Sequence, residues 1–144
     1  MPRPLRPAVI VAACASLTLA ACSEVEEKSS TSYEPSSLSP IKGSDDVQQV
    51  TLTAESAARV GLRTAVIRAD GRRTVVPSDA VIYDAEGHSY VYTAPKPLSY
   101  VRAEVHVTGG DGRITRLSDG PPAGTQVVTR GAAEVYGTEF EVGH

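Results

Sequence analysis

The residue types from which a reactive site is built are few and scattered in this chain. Ser78-Asp79 and His88 supply the members of a hydrolase triad. No G-x-S-x-G elbow surrounds the serine, so nothing holds its hydroxyl in the strained turn that such a nucleophile needs. The three histidines, His88, His106 and His144, have no paired spacing of the kind that zinc sites use, and Met1 is the one methionine, which leaves no thioether set for copper(I). Asp84, Glu86 and Asp111 offer oxygen ligands without the D-x-D-x-D-G order of a calcium loop, and they read as turn formers. The expectation is a protein that is not an enzyme, with no catalytic residue, no metal ligand and no cofactor.

One residue does have chemistry written around it. Arg3 and Arg6 precede an apolar or small run, AVIVAACASLTLAA, from Ala8 to Ala21. That run is shorter than the roughly 20 residues a membrane-spanning helix requires. A basic start, a short apolar centre and small residues at its end fit a secretory signal. Leu19, Ala20 and Ala21 lead into Cys22, and the four residues resemble a bacterial lipobox. In that motif the cysteine receives a thioether-linked diacylglycerol and becomes the first residue of the mature chain. Residues 1–21 are then a lipoprotein signal peptide, and Cys22 is the lipidation site. Anchoring by more than one acyl chain is stable where a single chain is not.

Cysteine usage follows from this reading. Of the two cysteines, Cys14 is discarded and Cys22 carries lipid, so no thiol remains for a disulfide, a nucleophile or a metal. The formal charge is −3, and loss of Arg3 and Arg6 makes the mature form more acidic. No basic nucleic-acid footprint exists, and no polybasic run assists membrane attachment. The expected location is the extracytoplasmic face of a cell membrane, at the cell surface or in a periplasm.

The elements that follow must be placed by this anchor. Residues 22–49 are rich in Ser, Glu and Pro and carry few aliphatic positions, so they are expected to be a disordered tether. A flexible chain of that length reaches about 30 Å on average. Residues 50–144 form one small domain whose core is aliphatic and β-branched, with no Trp and with Phe140 as the one Phe. A domain of this size without disulfides gains from a partner or from self-association, so a homo-oligomer is one expected state.

Local patterns give the elements. Thr53 can cap a two-turn helix over 54–60, with Glu55 in its first turn and Gly61 at its end. Short strands are expected over 62–67, 74–76, 80–83, 88–93 and 98–107, with turns at Asp70-Gly71, Asp84-Ala85-Glu86-Gly87 and Gly109-Gly110-Asp111-Gly112. Further strands are expected over 113–117 and 126–129. A short turn is expected over 131–136, and a last strand over 138–142 closes the chain. Strands this short with Gly-rich turns predict a mostly β fold, a small β-barrel or β-roll with one short helix.

At this point the residues carry a resemblance. The series Val76-Pro77, Ala80-Val81, Gly87, Val91-Tyr92, Val105, Val107, Gly112, Gly120 and Gly124-Thr125-Gln126-Val127-Val128-Thr129-Arg130-Gly131 is similar to the membrane-proximal part of periplasmic adaptor proteins. These are also called membrane fusion proteins, the partners of resistance-nodulation-division and related efflux pumps. The opening VTLTAESAARVGLRT resembles the segment that precedes the body of such adaptors. Family members place a lipoyl-like domain and usually a long helical hairpin between the two segments. Here Val76-Pro77 follows Ile67 within about ten residues, and no heptad pattern occurs. The resemblance implies a reduced, lipid-anchored, adaptor-like accessory of a transport system, with an inner-membrane transporter as partner. The alternative reading of the residues is an independent surface lipoprotein that binds a small ligand, a metal ion or a cell-wall component.

Overall fold

The computed structural model describes residues 34–141. The expected signal peptide, lipobox and lipidation site at Cys22, and His144, lie outside them. Two strands come first, β1 (Ser36–Ile41) and β2 (Ser44–Leu52), followed by the helix α1 (Ala54–Val60). Then come β3 (Arg63–Val66), β4 (Arg68–Asp70), β5 (Arg73–Pro77), a 3-10 turn over Ser78–Ala80, and β6 (Ile82–Tyr83). The chain ends with β7 (Ser89–Lys96), β8 (Ser99–Gly110), β9 (Ile114–Asp119), β10 (Gln126–Arg130) and the helix α2 (Ala132–Glu141). The fold is mostly β, as its composition and turns predict.

The sheet curls into a nearly closed barrel. Its path runs β3-β10-β7-β8-β9-β5-β4, and every pairing is antiparallel. β3 and β4 are separated only by Ile67 and act as two halves of one bent strand. Its first half pairs with β10 and its second with β5, which brings the two ends of the path together. The backbone of Ile67 itself exchanges hydrogen bonds with the loop before β10, donating to Thr125 at 2.8 Å and accepting from Gly124 at 2.9 Å.

The barrel is filled by its own side chains. Ile67, Val76, Val91, Val105, Leu117 and Val127 come one from each of the six staves and pack together with Ala80. All are buried. A barrel of about eight strands has an interior just wide enough for side chains, and six strands leave less room still. These residues sit at alternate positions of their strands, so the opposite face of each strand looks outward.

One part of the outer surface has a second layer. β2 extends the sheet by pairing with the start of β8, and β1 pairs with β2. This hairpin, α1 and α2 cover Tyr92, Tyr100 and Val128, forming a second core with Val50, Leu52, Ala132 and Val135. Neighbours Val91 and Tyr92, and Val127 and Val128, are therefore buried on opposite faces of their strands, which is why these segments read as continuous apolar runs.

Two expectations are corrected. The tether expected over 22–49 gives way at Ser36, because 36–52 form a hairpin. Lys42-Gly43 is its two-residue turn, with Gly43 at φ 88°. Sparse apolar residues suffice there, since Leu38, Val50 and Leu52 face a ready-made core. The turn and closing strand expected over 131–142 are instead α2. Gly131, at φ 85°, turns the chain out of β10, and Val135 then donates to the Gly131 carbonyl at 3.1 Å. The helix α1 forms as expected. Thr53 Oγ1 accepts from the Ser56 N–H at 3.1 Å, and Gly61 closes the helix in the left-handed region at φ 68°.

Candidate functional site

The reactive residue types do not converge. Ser78 Oγ accepts from Thr115 Oγ1 at 3.1 Å, whereas His88 Nδ1 lies 3.1 Å from Asp84 Oδ2 in the β6–β7 turn. The serine and the histidine are thus committed to different partners. His106 is exposed on β8. Among the described residues no three His, Cys, Asp or Glu side chains come together as a metal site. Asp84 and Asp111 act as turn formers. Asp84 accepts from the His88 N–H at 2.8 Å and from Tyr90 OH at 3.1 Å. Burial opposes its charge, but these hydrogen bonds outweigh it and hold the carboxyl below its ordinary range. Asp111 Oδ1 accepts from the N–H groups of Arg113 and Ile114, which likewise lower its pKa.

Among the described residues the one buried carboxylate belongs to α2. The Glu139 side chain is 2% exposed. Its oxygens accept from Tyr92 OH at 2.5 Å, Arg102 Nε at 3.1 Å and the Gln48 N–H at 3.2 Å. One carboxylate therefore joins α2 to β2, β7 and β8. Arg102 extends the joint. Its Nη2 donates to the Asp46 carbonyl at 2.7 Å, and its guanidinium lies between the rings of Tyr90 (4.8 Å) and Phe140 (5.0 Å). Burial first, and then the hydrogen bond to Glu139, push the Tyr92 hydroxyl far above its usual range. With both oxygens accepting hydrogen bonds and the side chain 2% exposed, Glu139 acts as a clamp between α2 and the sheet. Arg102 and Phe140 fall within the strands expected over 98–107 and 138–142; nothing local marks Glu139, whose partners are 37 to 91 residues away.

Space for a ligand lies on the outside. A groove of about 420 Å³ runs between the β7–β8 turn and the edge of β3 and β10, lined by Leu62, Thr64, Pro95, Leu98, Tyr100 and Gln126. It forms because β7 and β10 pair only at Thr93 and Val127, and Pro95 lacks an N–H to continue the ladder. The turn beside it is strained. Leu98 has φ 62°, where a non-Gly residue costs about 1–2 kcal/mol. It is held there because its carbonyl accepts from Leu52 N–H at 2.9 Å. Among the described residues no helix is long and apolar enough to cross a membrane.

No family model, no curated protein and no solved structure matches the chain.

Proposed function

We propose that the chain is a lipid-anchored, non-catalytic module that works by surface contact at a membrane, as an adaptor-like accessory of a transport system. The observation that carries this reading is the filled barrel. Six side chains, one per stave, occupy the interior, so the surfaces open to a partner are outer ones. The lipobox-like Leu19-Ala20-Ala21-Cys22 and the adaptor-like residue series support the membrane setting and the transport partner. The described residues begin with a hairpin that extends the sheet, so the folded body starts by Ser36.

Crosslinking of the lipidated protein in its own membrane, read by mass spectrometry, tests this. A transporter crosslinked to the domain is the expected result; no membrane-protein partner would overturn the accessory role. In membranes washed at high salt, Cys22→Ser is expected to release the domain, and retention would overturn the anchor.

A second reading, a surface lipoprotein that binds a small ligand, is favoured by the groove beside Leu98. It expects a ligand-dependent rise in melting temperature, and a screen of metals, drugs and wall fragments without any shift counts against it.

A further inference from the structure

The two walls of the barrel differ. The hairpin, α1 and α2 cover the wall built from β10, β7 and the start of β8. The opposite wall, β4, β5 and β9, has no outer layer among the described residues. Its inward positions are Val76 and Leu117, so the alternate residues point out. Pairing places Arg68 opposite Val75 and Val75 opposite Arg116, with Arg73 and Asp70 opposite each other one step along. Arg72 occupies the turn between β4 and β5, and Arg68, Arg72 and Arg73 are all exposed. The outward position of the row is visible in one contact, Arg116 Nε to Asp70 Oδ2 at 3.4 Å, with both side chains about half exposed.

Four arginines thus share one bare wall of a chain whose net charge is −3. Asp70 is the acid on that wall, and Asp119 lies at the end of β9 opposite His106. Arg68, Arg72 and Arg73 form no ion pair among the described residues. Beside them Val66, two positions before Arg68 on the same outward face, is 41% exposed. An exposed aliphatic among unpaired arginines suits a surface that is both anionic and partly apolar. Guanidinium groups fork onto phosphate oxygens, and their aliphatic stems lie along apolar surface.

We propose that the β4–β5–β9 wall docks on the anionic phosphate headgroups of a phospholipid membrane, through Arg68, Arg72, Arg73 and Arg116. The contact lays the barrel flat with its covered wall turned away from the lipid. It rests on the membrane setting proposed above, but its test is separate from that of the anchor.

The full chain carrying Cys22→Ser, so that no acyl chain contributes, is sedimented with phosphatidylglycerol-containing vesicles and with neutral phosphatidylcholine vesicles. Binding to the neutral vesicles measures what the apolar N-terminal run contributes. The expected result is tighter binding to the anionic vesicles, weakened by salt, because the Debye length falls from about 10 Å at 0.1 M to about 3 Å at 1 M. Each arginine removed is expected to weaken anionic binding about fivefold, the factor for one basic side chain at such a surface. Arg68→Ser with Arg73→Ser is therefore expected to lose about 25-fold, while Arg68→Lys with Arg73→Lys retains most of it. Both residues are exposed and unpaired, so an unchanged melting temperature checks that the fold is intact. Equal anionic binding by the parent and the double serine variant would overturn the proposal. So would crosslinks from this wall to an acidic protein with no vesicle binding. Cys22→Ser protein that stays in the cell membrane fraction after a wash at about 1 M salt, which screens the wall contact, would refute the anchor without touching this result.

Discussion

Glu139 on the last helix accepts a hydrogen bond from the hydroxyl of Tyr92 on β7, 47 residues earlier, at 2.5 Å. Tyr92 is fully buried, and its ring forms part of the outer core. The bond therefore ties the C-terminal helix to the barrel wall at a place where a charge is shielded from water. Arg102 neutralises that charge at 3.1 Å, with its side chain 10% exposed. The pair holds the second layer in register on the first.

Removing one partner leaves the other charged and buried. Glu139→Ala is expected to destabilise the domain by about 3 kcal/mol in urea unfolding. Tyr92→Phe keeps the ring and loses only the hydroxyl, for an expected cost of about 1.5 kcal/mol. Joint replacement of Glu139 by Leu and Arg102 by Met is expected to cost less than the two single changes added together, because neither charge is then left alone. Additive costs would show that the two groups are not coupled.

The Tyr92 hydroxyl also predicts an alkaline limit. Its folded pKa lies above the ordinary value of 10.0, raised by burial and by the Glu139 carboxylate. A group with a raised folded pKa adds stability below its unfolded pKa and loses it as pH rises past that value. Melting temperature is therefore expected to fall above pH 10, and less steeply in Tyr92→Phe. Identical alkaline slopes in the two proteins would assign the effect elsewhere.

Asp84 sets the opposite limit. Its side chain is 11% exposed, and the hydrogen bonds it accepts from His88 and Tyr90 hold its folded pKa below 3.8. A depressed carboxyl contributes stability above its unfolded pKa and loses it as pH falls through the folded one. Asp84→Asn is expected to lower the melting temperature at neutral pH and to flatten the loss below pH 3.8. An acid profile parallel to that of the parent would exclude Asp84 as its source.

The barrel interior and the hinge into α2 make separate predictions. Leu117 is fully buried among the six stave residues, and Leu117→Ala is expected to cost about 3 kcal/mol. Gly131 stands at φ 85°, and a Cβ there would meet Val60 Cγ1 at 2.7 Å. Gly131→Ala is expected to cost about 2 kcal/mol through backbone strain and overlap. Chemical denaturation measures both, and a cost under half of either value would show that the site relaxes around the change.

Local chemistry determined much of this protein before any contact was known. Thr53 and Gly61 bound α1 because caps act within one turn. Asp84 to Gly87 mark a turn because their backbone preferences are their own, and Asp111-Gly112 mark the next, although Gly109 and Gly110, expected in that turn, still pair with β9; alternation in Leu98 to Val107 finds the long strand β8. The β1–β2 hairpin left a fainter trace, in Leu38, Ile41, Val47 and Val50 spaced about Lys42-Gly43, and Ser, Glu and Pro around it read as tether. Only the tertiary structure decided α2. Ala-Ala-Glu-Val-Tyr-Gly-Thr-Glu-Phe-Glu has a central Gly and β-branched neighbours, and its helix is secured by Glu139 reaching β2, β7 and β8. Tertiary structure likewise gathered Arg68, Arg72, Arg73 and Arg116 on one wall, because strand pairing makes neighbours of residues that the chain keeps more than 40 positions apart.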